Sequence, residues 1–168
     1  MKTLIAFAAC GLLLAATSAR AENRADEAAR YTDQLKKSKD AKTKITAIEE
    51  LGKLGTVNKK YAKDAVPYIM DACKDRDSKL RATAAEALGK AYSGDEDEKV
   101  VGLLTDMLKK DKEDNAVKMA AARGLAAMGP RAKEALPTMR EIVQKEPQQS
   151  PLRRAVQQSM RSIQPRPQ

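Results

Sequence analysis

The sequence predicts an all-α chain: an α-solenoid of about four stacked two-helix units, eight helices in all. Two ladders of residues carry that prediction. RATAAEALGKAY, from Arg81, matches KMAAARGLAAMG, from Lys118, at an offset of 37 residues. Each opens on a basic residue, with an alanine three positions on and a leucine seven positions on: Arg81, Ala84, Leu88 and Lys118, Ala121, Leu125. The same spacing gives Lys44, Ala47, Leu51 upstream and Arg153, Val156, Met160 downstream. Positions 0, 3 and 7 share one face of a helix. Leu54, Ala91, Met128 and Ile163 extend it.

The second ladder lies between these segments. Val66, Ile69 and Cys73 are followed 35 residues on by Val101, Leu104 and Leu108, and again by Leu136, Met139 and Val143. Each is a second amphipathic helix. Self-similarity at such a period marks units that bury their apolar faces only by stacking on neighbours.

Residues 1–21 stand apart. Lys2 supplies a positive start, Leu4 to Ala16 is apolar, and Ala19-Arg20-Ala21 places small residues where a signal peptidase reads. This is expected to be a secretory signal peptide, and its apolar run is too short to span a bilayer. Cys10 sits mid-run with Gly11-Leu12-Leu13-Leu14 after it, which disfavours a lipoprotein. The remainder is expected to be a repeat domain over 22–164, with units near 22–56, 57–93, 94–129 and 130–164, and a frayed tail over 165–168.

In the first unit, EAARY (Glu27 to Tyr31) lines up with DAVPY (Asp64 to Tyr68), but Thr32 and Lys36 replace Ile69 and Cys73. Polar residues there suit a terminal unit with no neighbour to cover it. Asp40, Asp77 and Asp114 are placed to cap the second helices, and Ser150-Pro151 opens the fourth with a cap and a first-turn proline. Gly55, Gly94 and Gly129 stand where those helices should stop. Pro67 and Pro137 fall in first turns, where a missing N–H costs least. Asp95-Glu96-Asp97-Glu98 opens a helix, where acids favour the dipole. It lacks the alternating ligands and central glycine of a calcium loop.

VPYIMDACKDRDSKLRATAAEALGKAY (Val66 to Tyr92) and LPTMREIVQKEPQQSPLRRAVQQSMRSIQP (Leu136 to Pro165) resemble HEAT repeats. The shared pattern is a first helix with an early proline, a tight turn, then an aspartate and an aliphatic–basic pair opening the second helix. Here those pairs are Leu80-Arg81, Val117-Lys118 and Leu152-Arg153, whereas Thr43-Lys44 departs in its first member. Asp75 matches the turn aspartate; Ser38 and Pro147 replace it elsewhere, and Gly102 replaces the third unit's proline. The resemblance implies that the second helices line a concave side where partners dock.

Composition excludes much chemistry. The chain has no His or Trp, one Phe and four Tyr, and the leader would take the Phe and one of two Cys. Without His, and with Cys73 as the sole remaining thiol, the usual zinc sites and Ser-His or Cys-His pairs cannot be assembled. An internal disulfide is excluded as well. No catalytic residue, metal or cofactor is expected, and no transmembrane segment follows the leader. Cys73 shares its rung with Leu108 and Val143, which points to a buried thiol acting as a small hydrophobe.

On the first helices Asp71, Asp106 and Glu141 make an acidic column beside Lys37, Lys74 and Lys109, and the two are expected to satisfy each other. Lys36, Lys37, Lys39, Lys42 and Lys44 read as a solvated face. On the second helices, small or apolar residues stand opposite the core: Ile45, Gly52, Ala82, Gly89, Met119, Ala126 and Ala127. Glu49, Lys53, Glu86, Lys90, Arg123, Arg154 and Arg161 flank them. A shallow apolar groove with a charged border suits an extended peptide or a helix. Its charge shifts from Glu49 and Glu86 to Arg123, Arg154 and Arg161, so an acidic segment would favour the C-terminal half. The expected partner-binding residues are therefore Ile45, Glu49, Lys53, Ala82, Glu86, Lys90, Met119, Arg123, Arg154 and Arg161.

The leading functional expectation is a non-catalytic protein-binding adaptor in the periplasm or secreted space. Removing the leader leaves 30 basic and 23 acidic side chains, a net charge of +7, which supports the alternative of binding an anionic envelope surface or polymer. Some HEAT-like relatives act on bilin pigments and others excise damaged DNA bases. Export argues against both, and the missing Trp and Phe weaken nucleic-acid binding further. Ile163 and Met160 are expected to stay partly exposed at the last unit, giving a monomer or a weak homodimer through that end.

Overall fold

Aspartate and serine side chains set where the second helix of each pair begins. The computed structural model describes residues 22–92, 97–110 and 112–164; the expected leader, Gly94, the Asp95-Glu96 pair and the 165–168 tail lie outside them. Asp40 accepts the Thr43 N–H at 2.8 Å, Asp77 those of Lys79 and Leu80, Asp114 that of Ala116, and Ser150 that of Arg153. Each satisfies an N–H left without an intrahelical partner. The second helices so opened are α2 (Ala41–Val57), α4 (Ser78–Ala91), α6 (Asn115–Met128) and α8 (Pro151–Ile163). The first helices are α1 (helical over 22–37), α3 (Val66–Ala72), α5 (Asp97–Lys109) and α7 (Leu136–Lys145). The architecture is the expected all-α solenoid.

Pro67 and Pro137 do fall in the first turns of α3 and α7. Each helix is preceded by a 3₁₀ segment, Lys59–Ala65 and Gly129–Ala135. Periodicity did not separate these tighter turns, because the buried pairs Ala62/Ala65 and Ala132/Ala135 are spaced three apart, which α and 3₁₀ helices share. Gly129 ends α6 with a positive φ of 62°, a conformation that costs glycine little. Gly55 behaves otherwise than expected: α2 runs through it to Val57, and it is buried against Ala91.

Both ladders form one core. Leu51, Leu88 and Leu125 are fully buried, as are Ile69, Leu104 and Met139; Met160, Val66, Leu136 and Val143 are half-buried against it. The closest helix pairs are α4 with α6, α2 with α4 and α6 with α8. Small residues permit this approach. A Cβ built on Gly89 would fall on the Gly124 carbonyl, and one on Gly124 on the Ala85 carbonyl. Gly52 and Gly89, expected to face outward, are buried in these contacts. α5 and α7 touch far less, so the second helices carry most of the contact between units.

Gly102 differs. It is exposed in mid-α5, and an added Cβ would meet nothing within 4 Å. Gly102→Ala is expected to raise stability by about 0.5–1 kcal/mol through helix propensity, read as an increase in Tm.

The C-terminal end is better closed than expected. Ile163 is fully buried and Met160 half-buried. The repeat register explains this. Ala85 and Ala122 are buried, and Gly89 packs on Gly124 of the following unit; in the last unit their places are taken by exposed Gln157 and Arg161. Polar side chains thus stand where a further unit would stack.

Candidate functional site

The spacing of α2 sets Ile45, Glu49 and Lys53 on one face, and that of α4 does the same for Ala82, Glu86 and Lys90. Where these faces meet, the structure forms a cleft of about 260 Å³ whose lining includes Glu49, Lys53, Glu86, Lys90, Gly52 and Ala87. Gly52 and Ala87 are buried, so the cleft has a small-residue floor and a charged border. Ile45 and Ala82 are half-buried along the same rows.

The row continues on α6 with half-buried Met119 and exposed Arg123, and on α8 with exposed Arg154. Arg123 Nε donates to Glu86 Oε2 at 2.8 Å, bridging two units. Lys90 Nζ donates to the other Glu86 oxygen at 2.7 Å. Burial opposes ionisation of Glu86, but these two cations outweigh it and hold the carboxyl below its ordinary value. Lys53 bonds Glu50 on its own helix at 2.6 Å, which raises its pKa. Arg161 is not brought to this cleft; its register places it on the end face.

The electrostatic links between units were mostly not foreseen. Asp71, Asp106 and Glu141 do not pair with Lys37, Lys74 and Lys109 among the described residues; Lys37 instead bonds Asp33 on α1. Two links between units run through the basic residue that opens a second helix. Lys44 Nζ lies 3.8 Å from Asp75. Arg81 donates to the carbonyls of Asp75 and Arg76 in its own turn, and through Nε to buried Glu113 in the next. In the last unit Arg153 donates to the Glu146 carbonyl within its own turn. Of the family-like aliphatic–basic pairs, Leu80-Arg81 is therefore the one that staples two turns together. Glu113 gave no sequence signal because it breaks the period: Lys39 and Arg76 occupy its place in earlier units.

A third link gathers at the end of α4. Lys59 donates to the Tyr92 carbonyl at 2.8 Å, and Arg131 pairs with Asp97 at 3.0 Å. Burial and the nearby Arg131 charge lower the Lys59 pKa against the pull of Asp97. A depression of about 370 Å³ between α1 and the turn before α3 holds Tyr61 and Tyr68, with Lys36 Nζ 5.8 Å from the Tyr68 ring centre. It lies away from the second-helix cleft.

Cys73 is buried, and burial pushes its thiol up to about 12. With the thiolate suppressed it is a poor nucleophile. In a Cys10→Ser background it is expected to resist iodoacetamide at pH 8 while native and to label fully in denaturant. Rapid native labelling would contradict its place in the core. Among the described residues no three acidic or thiol groups gather as a metal site. No described helix is long and apolar enough to cross a membrane.

A family model described as HEAT repeats matches residues 28–113 and 91–161. No curated protein matches the chain. HEAT repeats typically mediate protein–protein interaction and generally serve as non-enzymatic scaffolds.

Proposed function

Because the chain belongs to the HEAT repeat family, we propose that it is a non-catalytic adaptor of the periplasm or secreted space, holding a partner segment along α2, α4, α6 and α8. The observation that carries this reading is the cleft on the second helices, with Gly52 and Ala87 below and Glu49, Lys53, Glu86 and Lys90 around it. A small-residue floor lets a partner backbone approach closely, while a border of both signs selects register. The apolar leader over 1–21 supports export.

Net charge favours a second reading, attachment to an anionic envelope surface or polymer. The two differ in salt dependence, since exposed charges are screened within about 10 Å at 0.1 M salt. A pull-down from an envelope extract at low and high salt separates them. The adaptor is expected to retain a discrete protein at high salt and to lose it on Met119→Asp. Heterogeneous material shed at high salt would favour surface attachment.

A further inference from the structure

The acids of the second-helix face are confined to its N-terminal half. By helical spacing Lys42, Lys53, Lys79, Lys90, Arg123 and Arg154 share this face with Glu49 and Glu86. In the N-terminal half the lysines stand beside carboxylates, and Glu86 is already bonded by both Lys90 and Arg123. The C-terminal half has no counterweight: neither α6 nor α8 contains an aspartate or glutamate. Arg154 is exposed and has no carboxylate partner among the described residues. Arg123 is half-exposed and engages Glu86 through Nε, leaving the outer edge of its guanidinium for a further carboxylate. Half-buried Met119 and exposed Ala127 lie on the same helix face as Arg123, offering apolar surface between charges.

We propose that the partner segment is an acidic peptide seated on the α6–α8 half of the second-helix face. Its carboxylates would take the free edge of Arg123 and the Arg154 guanidinium, with an apolar side chain on Met119 and Ala127. This rests on the adaptor reading and adds the chemistry of the partner. A peptide can follow the row from Arg123 to Arg154 and place an apolar side chain beside Met119 between its carboxylates.

The test uses the whole protein, expressed with its leader and purified, and three labelled short peptides in which leucine alternates with glutamate, glutamine or lysine. Binding is read by fluorescence anisotropy at physiological salt, and the Met119 methyl resonance reports the site. The glutamate peptide is expected to bind most tightly and to shift Met119. Arg123→Glu with Arg154→Glu should weaken it at least about tenfold. Lys37→Glu with Lys74→Glu on the first helices, an equal change in net charge, should weaken it less than about twofold. These positions are all solvent-facing, so far-ultraviolet circular dichroism should be unchanged.

Equal weakening by both pairs, or full displacement by phosphatidylglycerol vesicles, would overturn the proposal and leave long-range surface attachment standing. A glutamine peptide that binds as tightly and shifts Met119 would remove the acidic preference while keeping the adaptor. Failure of all three peptides to bind would overturn both.

Discussion

Gly89→Ala is expected to destabilise the protein by about 3 kcal/mol, even though alanine is the better helix former. The intrinsic preference favours alanine by about 1 kcal/mol, and at Gly102 that gain is expected to be realised. At Gly89 the added Cβ falls on the Gly124 carbonyl. A backbone atom in a packed helix cannot rotate away as a side chain could, so α4 and α6 must separate, and overpacking of this kind costs about 1–3 kcal/mol or more. The separation would also open contacts of Leu88 and Leu125, which are fully buried beside it. At about 2–4 °C per kcal/mol, Tm should fall by roughly 6–12 °C. A Gly89→Ala protein as stable as the parent would mean that α4 and α6 do not cross in this register.

The second large effect is expected at Arg81. Its guanidinium ties the Asp75 and Arg76 carbonyls to Glu113, whose side chain is 3% exposed. Arg81→Met removes the partner of a buried carboxylate, a change that costs about 3–5 kcal/mol. Lys110, 3.8 Å from Glu113, compensates only in part because it is largely exposed. Removing both partners, Arg81→Met with Glu113→Leu, should recover most of the loss, since no charge is then stranded.

The pH dependence of this pair has a definite sign. Burial opposes ionisation of Glu113, but the Arg81 hydrogen bonds prevail and hold its pKa below the ordinary 4.5. A depressed carboxylate contributes stability that is present above the unfolded value and is lost as pH falls through the lower folded value. In Arg81→Met the unpaired carboxyl would take up a proton more readily. The gap between variant and parent should therefore be full near neutrality and narrow below about pH 4.5. Urea titrations at neutral and acidic pH measure it; a gap under about 1 kcal/mol at neutrality would show that the pair is not the staple described.

Much of this fold was legible because burial and capping obey local spacing. Leu51, Leu88 and Leu125 announce a core face, and Asp40, Asp77, Asp114 and Ser150 announce helix starts, without reference to any distant residue. What periodicity cannot supply is the identity of the neighbour. Gly52 and Gly89 lie opposite one apolar ladder, which reads as an outward groove until the next second helix is seen packed there. Arg161 reads as groove border for the same reason, although its register matches Gly89. Glu113 was hidden because its partner lies 32 residues away and the pairing occurs once. Of the candidate face, the α2–α4 cleft was the most legible part, since Glu49/Glu86 and Lys53/Lys90 repeat at the unit period.

The central claim is that the second-helix face holds a partner segment, and site-directed photocrosslinking in intact cells tests it most directly. A photoreactive residue would be placed at Lys90 or Ala127 on the second helices, and at Asp71 or Glu141 on the first; all four positions are exposed. The expected result is one discrete protein adduct from Lys90 and Ala127 and none from Asp71 and Glu141. Adducts from all four positions alike, or from the first helices alone, would contradict it.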